Sequence, residues 1–170
     1  MKVFFGAAIQ GKQDRVERLE INTALIQAIK DTGSTVASEH VLGTNLNETT
    51  SLLEQTLGKL LPVGMERTVM VRNKMIEFIE GDIDAAIFEV SIPSLGTGIE
   101  IAHAYLRPHM NLKEIPILAL YQKDYWPNNL SSMIRGLTRE SAPSLVLNEY
   151  CAPEEAKRFV SEFVHTVARK

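Results

Sequence analysis

The stretch "PSLGTGIE" at 93–100 sets a hydroxyl, two glycines and a carboxylate in a turn that leads into a helical pattern. Ser94 supplies an O–H donor, and Gly96 and Gly98 leave backbone amides bare where a helix begins. The positive end of a helix dipole lies there, so a small anion can be held without a metal. Glu100 follows in what reads as the first helical turn, where the same dipole favours the ionised carboxylate and lowers its pKa. An ionised, positioned carboxylate can attack an anomeric carbon, form a sugar ester and release it to water. The plain alternative is an acidic residue that only serves the dipole, and the segment alone leaves both open.

A second stretch, "FFGAAIQGKQ" at 4–13, also suits an anion. It reads G-x-x-x-x-G-K, as a nucleotide triphosphatase loop does, but Gln13 stands where that loop needs a magnesium-binding hydroxyl. A dinucleotide fingerprint fits no better, since "GTG" at 96–98 has Ile101 where the third glycine belongs. Two readings remain. Gly6 and Gly11 permit a tight strand-to-helix turn, or the loop is one wall of an anion site whose other wall is "PSLGTGIE".

Both stretches must be positioned by the elements around them. The apolar run 3–8 reads as a strand, and Val16, Leu19, Ile21, Leu25, Ile26 and Ile29 mark a helix that Gly33 ends. "STVASEHV" reads as a second strand ending near His40. Helical patterns at about 48–61 and 66–80 are parted by Pro62 and Gly64. "DAAIFEV" is almost continuously apolar, as a strand buried on both faces should be. A helix after the 93–98 loop, strands at "IPILALY" and "SLVLNEY", a short helix at "NLSSMIRGL" and a helix over about 153–168 complete the order. This alternation predicts an α/β fold: a doubly wound, mostly parallel five-stranded sheet with helices on both faces, holding ligands beyond the carboxyl ends of its strands. The loops at 6–12 and 93–98 leave their strands at that end. No repeat or linker divides residues 1–170, which read as one domain.

At 170 residues and 45% hydrophobic content, the core needs no staples. A net charge of -3 argues against a nucleic-acid polymer or an anionic membrane surface as partner. Cys151 is the only cysteine, which excludes an internal disulfide and any cysteine-built metal cluster and fits a cytoplasmic chain. With no leader pattern and no long uninterrupted apolar run, neither export nor membrane insertion is expected.

"EVSIPSLGTGIEIAHA" resembles the signature segment of the nucleoside 2-deoxyribosyltransferase superfamily, and more closely that of its 2′-deoxynucleoside 5′-phosphate N-hydrolase branch. Glu89, Val90, Pro93, Ser94, Leu95, Gly96, Gly98 and Glu100 match the branch pattern. "LSSMIRG" at 130–136 is similar to the family's Leu-Ser-Ala-Met-Ile-Arg-Gly, and "VFFGAAIQG" and "SEHV" are weaker matches in the right order. The resemblance implies a flavodoxin-like fold, usually a homodimer, that cleaves the bond between base and deoxyribose in a nucleotide, with no metal and no cofactor. Glu100 takes the place of the nucleophile. Ser94 takes that of the residue that helps bind the 5′-phosphate, where nucleoside-specific relatives carry an aspartate; a hydroxyl donates to a phosphate dianion that a carboxylate would repel. Ala8, Ile9, Gln10 and Gly11, with the amides of Gly96 and Gly98, match the rest of the phosphate grip. Ser131 matches a serine that reaches the phosphate across the dimer, Met133 goes with it as substrate-binding, and His40 matches a histidine beside the base. The products implied are free base and deoxyribose 5-phosphate. Two alternatives stand beside this: a transferase that passes deoxyribose to a second base, and a nucleotide-binding sensor with little chemistry left.

Three departures from the family pattern bear on those alternatives. Phe4 replaces a tyrosine, Gln10 replaces an arginine whose charge Lys12 is placed to restore, and no aspartate falls at the family's position on the helix before "DAAIFEV". Asn73 and Glu77 are the candidates for that place, Asn73 as a ligand of the sugar. His103 follows Glu100 by three residues and shares its helix face. Tyr125, Trp126 and Pro127 read as part of a lid or of a dimer contact.

Overall fold

The computed structural model describes residues 1–8, 15–43, 45–125 and 130–169. Five strands, β1 (Lys2–Ala7), β2 (Thr35–Val36), β3 (Ala85–Glu89), β4 (Ile117–Gln122) and β5 (Leu145–Tyr150), form one sheet in the order β2-β1-β3-β4-β5. Every pairing is parallel. This is the flavodoxin-like order, in which strand direction of travel reverses between β1 and β3 and opens a crevice there.

Period-two alternation divides the core. Val3, Phe5 and Ala7 pack with Leu25, Ile29, Val160 and Val164, on the face covered by helices α1 (Arg15–Asp31) and α6 (Pro153–Ala168). Phe4, Ala86 and Phe88 pack with Ile79, Ile101 and Ala104 on the opposite face, beneath α3 (Met65–Glu80) and α4 (Leu95–Tyr105). All five residues of β3 are buried, which is why its sequence shows no alternation.

The remaining helices are α2 (Leu46–Leu57) and the short α5 (Ser132–Arg135). Asn45 caps α2, its side chain accepting from the amides of Asn47 and Glu48. Among the described residues no helix is long and apolar enough to cross a membrane.

The second strand is shorter than its sequence suggests. Ladder bonds run from Thr35 to Met1 and from Ala37 to Val3, and then Ser38 replaces the backbone: its hydroxyl accepts from Phe5 N and donates to Phe5 O. Pairing stops there, and His40 lies not at a strand end but in a single 3₁₀ turn, His40–Leu42.

Candidate active site

Ser94 caps α4, accepting from the amide of Thr97 at 3.3 Å, so its hydroxyl hydrogen remains free to donate outward. The first amides of the helix, those of Leu95 and Gly96, have no intrahelical acceptor and point at the same space. Because α4 begins at Leu95, Glu100 stands in its second turn rather than its first. Helical side chains lean toward the N-terminus, which brings the Glu100 carboxylate back over β1. It hangs above Gly6: a Cβ built on Gly6 would lie 3.0 Å from Glu100 Oε2 and 2.6 Å from the Phe88 ring.

The expected pKa shift is therefore reversed. The dipole fades beyond the first turn, and among the described residues Glu100 has no hydrogen-bond or ion-pair partner. Burial raises its carboxyl to about 7.

A cleft of about 490 Å³ is lined by Gly6, Ala7, His40, Ser94, Gly96 and Glu100 among others. It lies between the carboxyl ends of β1 and β3, at the topological switch point. His40 is only 5% exposed, and its Nδ1 has no partner among the described residues. Burial lowers its pKa to about 4, so the ring is neutral at neutral pH.

The predicted residues do not all meet here. Ala8 is half-buried just past β1, while Ile9, Gln10, Gly11 and Lys12 lie outside the described residues, as do Trp126 and Pro127. The Gly98 amide bonds to Ser94 O at 3.0 Å inside the helix, and the residue lines a different groove. That groove, about 510 Å³ and mostly apolar, also holds Ser131 and Met133 and shares Ser94, Leu95 and Thr97 with the cleft. Ser131 caps α5. Asn73 is exposed, accepts from Arg72, and lines neither cavity that touches Glu100. Glu77 is exposed and paired with Lys74. His103 turns from Glu100 to Glu80 of α3, 2.6 Å away.

Phe4 is wholly buried, its ring 5.8 Å from that of Phe88. It brings no polar atom to the sugar.

The sequence reading missed three things. Gly6 was legible in part, since a glycine inside a strand marks close approach. Arg67 and Arg72 of α3 line a second cavity, about 940 Å³, that also reaches Glu100; helical spacing alone did not reveal it. The third is a buried cluster at the carboxyl end of β3. Glu89 accepts from Tyr150 at 3.0 Å, from Ser91 and from Arg18 at 3.5 Å. Arg18 also donates to Gln122 and stacks on Tyr125, 4.1 Å from the ring centroid. Burial pushes the Glu89 carboxyl up, against the pull of Arg18 and its hydrogen bonds. Ser91 Oγ meanwhile accepts from Gln122 N, so the loop leading to Ser94 is tied to β4.

No family model matches the chain. Among curated proteins it is 29% identical over 141 residues, 83% of this chain and 81% of the relative, to a protein of Thermofilum pendens provisionally named 2′-deoxynucleoside 5′-phosphate N-hydrolase 1. It is 28% identical over 154 residues, 91% of both chains, to the 5-hydroxymethyl-dUMP N-hydrolase of Tetraodon nigroviridis. A protein of Methanosarcina mazei with the same provisional name as the first is 26% identical over 165 residues, 97% of this chain and 84% of the relative. Each likeness runs through most of both chains and therefore takes in β3 and α4 together. On that breadth, and on the flavodoxin-like sheet that carries it, the chain is similar to the 2′-deoxynucleoside 5′-phosphate N-hydrolase branch of the deoxyribosyltransferase-like superfamily.

Proposed function

We propose that the protein is a nucleotide N-glycosidase that hydrolyses 2′-deoxynucleoside 5′-monophosphates to free base and deoxyribose 5-phosphate. The observation that carries this reading is the Glu100 carboxylate, held over Gly6 in a cleft that it shares with the amide-rich start of α4. The phosphate sits at that helix start, taking donors from Ser94 and the first amides, with Ala8 beside it. Glu100 Oε then attacks the anomeric carbon as the bond to the base breaks. Water next attacks the same carbon, and the carboxylate leaves as it came. His40, neutral and buried, lines the same cleft.

The second protomer completes the site in this proposal. Leu95 is 91% and Met133 80% exposed, and both line the apolar groove that holds Ser131. Covering that groove with a second copy would bring its Ser131 toward the phosphate end of the cleft. The unit is one domain, and its single exposed cysteine suits the cytoplasm.

Incubation with deoxynucleoside monophosphates, following free base with and without an added acceptor base, tests the reading. Base release that needs no acceptor supports the hydrolase, and release only with acceptor makes it a transferase. Tight nucleotide binding with no release leaves the sensor, which the buried, hydroxyl-free Phe4 would favour. Glu100→Ala should abolish release while nucleotide binding survives, and mass spectrometry of quenched protein should find the sugar phosphate on Glu100.

A further inference from the structure

The bond from sugar to base breaks with its electron pair going to the base, so a glycosidase needs a group that accommodates that charge. Among the described residues lining the two cavities that meet at Glu100, Glu100 itself is the only carboxylate. It is already engaged as nucleophile and has no proton to give. His40, the other titratable group of the first cleft, is buried and neutral. The helix start at Ser94 and Gly96 claims that cleft for the phosphate, and so the other arm of the substrate extends into the second cavity.

That cavity, between α2, α3 and α4, combines an apolar wall of Val71, Met75 and Ile76 with two guanidinium groups, Arg67 and Arg72. A flat heterocycle with polar edges fits such a lining. Arg67 Nη2 donates to Thr50 Oγ1 at 2.9 Å, which fixes the group between α3 and α2, and no carboxylate pairs with it among the described residues. Arg72 is held by Asn73 Oδ1 at 3.1 Å.

We propose that the base departs into this cavity and that Arg67 and Arg72 are catalytic residues that stabilise it by hydrogen bonding. The inference rests on the glycosidase reading above. A guanidinium stays charged and donates hydrogen bonds without losing a proton. In the first step the Glu100 Oε–C1′ bond forms, the C1′–N bond breaks, and the pair remains on the base, facing the two cations. The base takes its proton from water afterwards. Charge stabilisation thus replaces the acid that the described residues of the two cavities lack.

The test compares natural nucleotides with a deoxyribose 5-phosphate carrying 4-nitrophenoxide, a leaving group that needs no assistance. The double variant Arg67→Met, Arg72→Met should lose about 100-fold or more in kcat on the natural base, the scale of one preorganised electrostatic contact or more. On the nitrophenyl substrate it should lose less than about 5-fold, since there the charge needs no partner. Equal losses on both substrates, no loss on either, or a raised KM with unchanged kcat on both would overturn the proposal, the last by making the pair a phosphate grip. Should the double variant fail to fold, Arg72→Met, altered at an exposed side chain, must show the same selective loss, and equal losses there also overturn it. A wild-type chain that frees no base from any nucleotide sinks the glycosidase reading first, and this inference with it.

Discussion

Gly6 lies directly beneath the Glu100 carboxylate, so close that a methyl group at position 6 would stand 3.0 Å from Oε2 and 2.6 Å from the Phe88 ring. Phe88 is wholly buried in the sheet partner of that residue and has nowhere to go. Gly6→Ala should therefore displace the carboxylate. A misplacement of about 1 Å can reduce turnover roughly 100-fold, while overpacking destabilises by about 1–3 kcal/mol. Turnover, thermal melting and nucleotide binding measured together check this: activity should fall much further than stability or binding.

Titration of Glu100 should be visible in both rate and stability. As nucleophile it must be ionised, so kcat/KM should rise with pH through about 7. Because its folded pKa is raised from 4.5, the folded chain binds more protons than the unfolded one between about pH 4.5 and 7, and stability falls as pH rises through that window. Glu100→Gln removes the effect. The variant should match wild type near pH 4 and melt higher at pH 8, and a wild type that gains stability across the window would refute the assignment.

Ser94 offers a way to part phosphate binding from helix capping. Ser94→Asp keeps a good N-cap but sets a carboxylate against the phosphate, and like charges at such range cost several kcal/mol. KM for a nucleotide should rise by about 100-fold or more on that scale. Melting temperature and turnover of the unphosphorylated nucleoside should hardly move. Steady-state kinetics on the matched pair of substrates reads the difference.

The pair Arg18 and Glu89 ties the carboxyl ends of the sheet together while lying 4% and 2% exposed. Removing one partner leaves a buried charge, which destabilises by about 3–5 kcal/mol. Arg18→Met should lower the chemical-denaturation midpoint accordingly. The double change Arg18→Met, Glu89→Gln should recover part of the loss, since no lone charge then remains.

The order of elements and the parallel sheet were readable from the chain, because apolar periodicity and glycine turns are local signals. Glu100 and Ser94 were readable for the same reason, as one short motif holds both. What one stretch cannot encode is what lies across from it. Whether Glu100 is ionised depends on burial against β1, which outweighed a dipole it stands too far along α4 to feel. Asn73 and Glu77 looked equivalent to their neighbours by spacing, yet the packing of α3 turned them outward and brought Arg67 and Arg72 to the Glu100 cavity. Ser38 ended a strand that propensity would have continued, by bonding a backbone 33 residues away. Sequence thus determined which groups the protein has and in what order it presents them, while tertiary contact decided their protonation, their partners and the side from which a substrate can reach them.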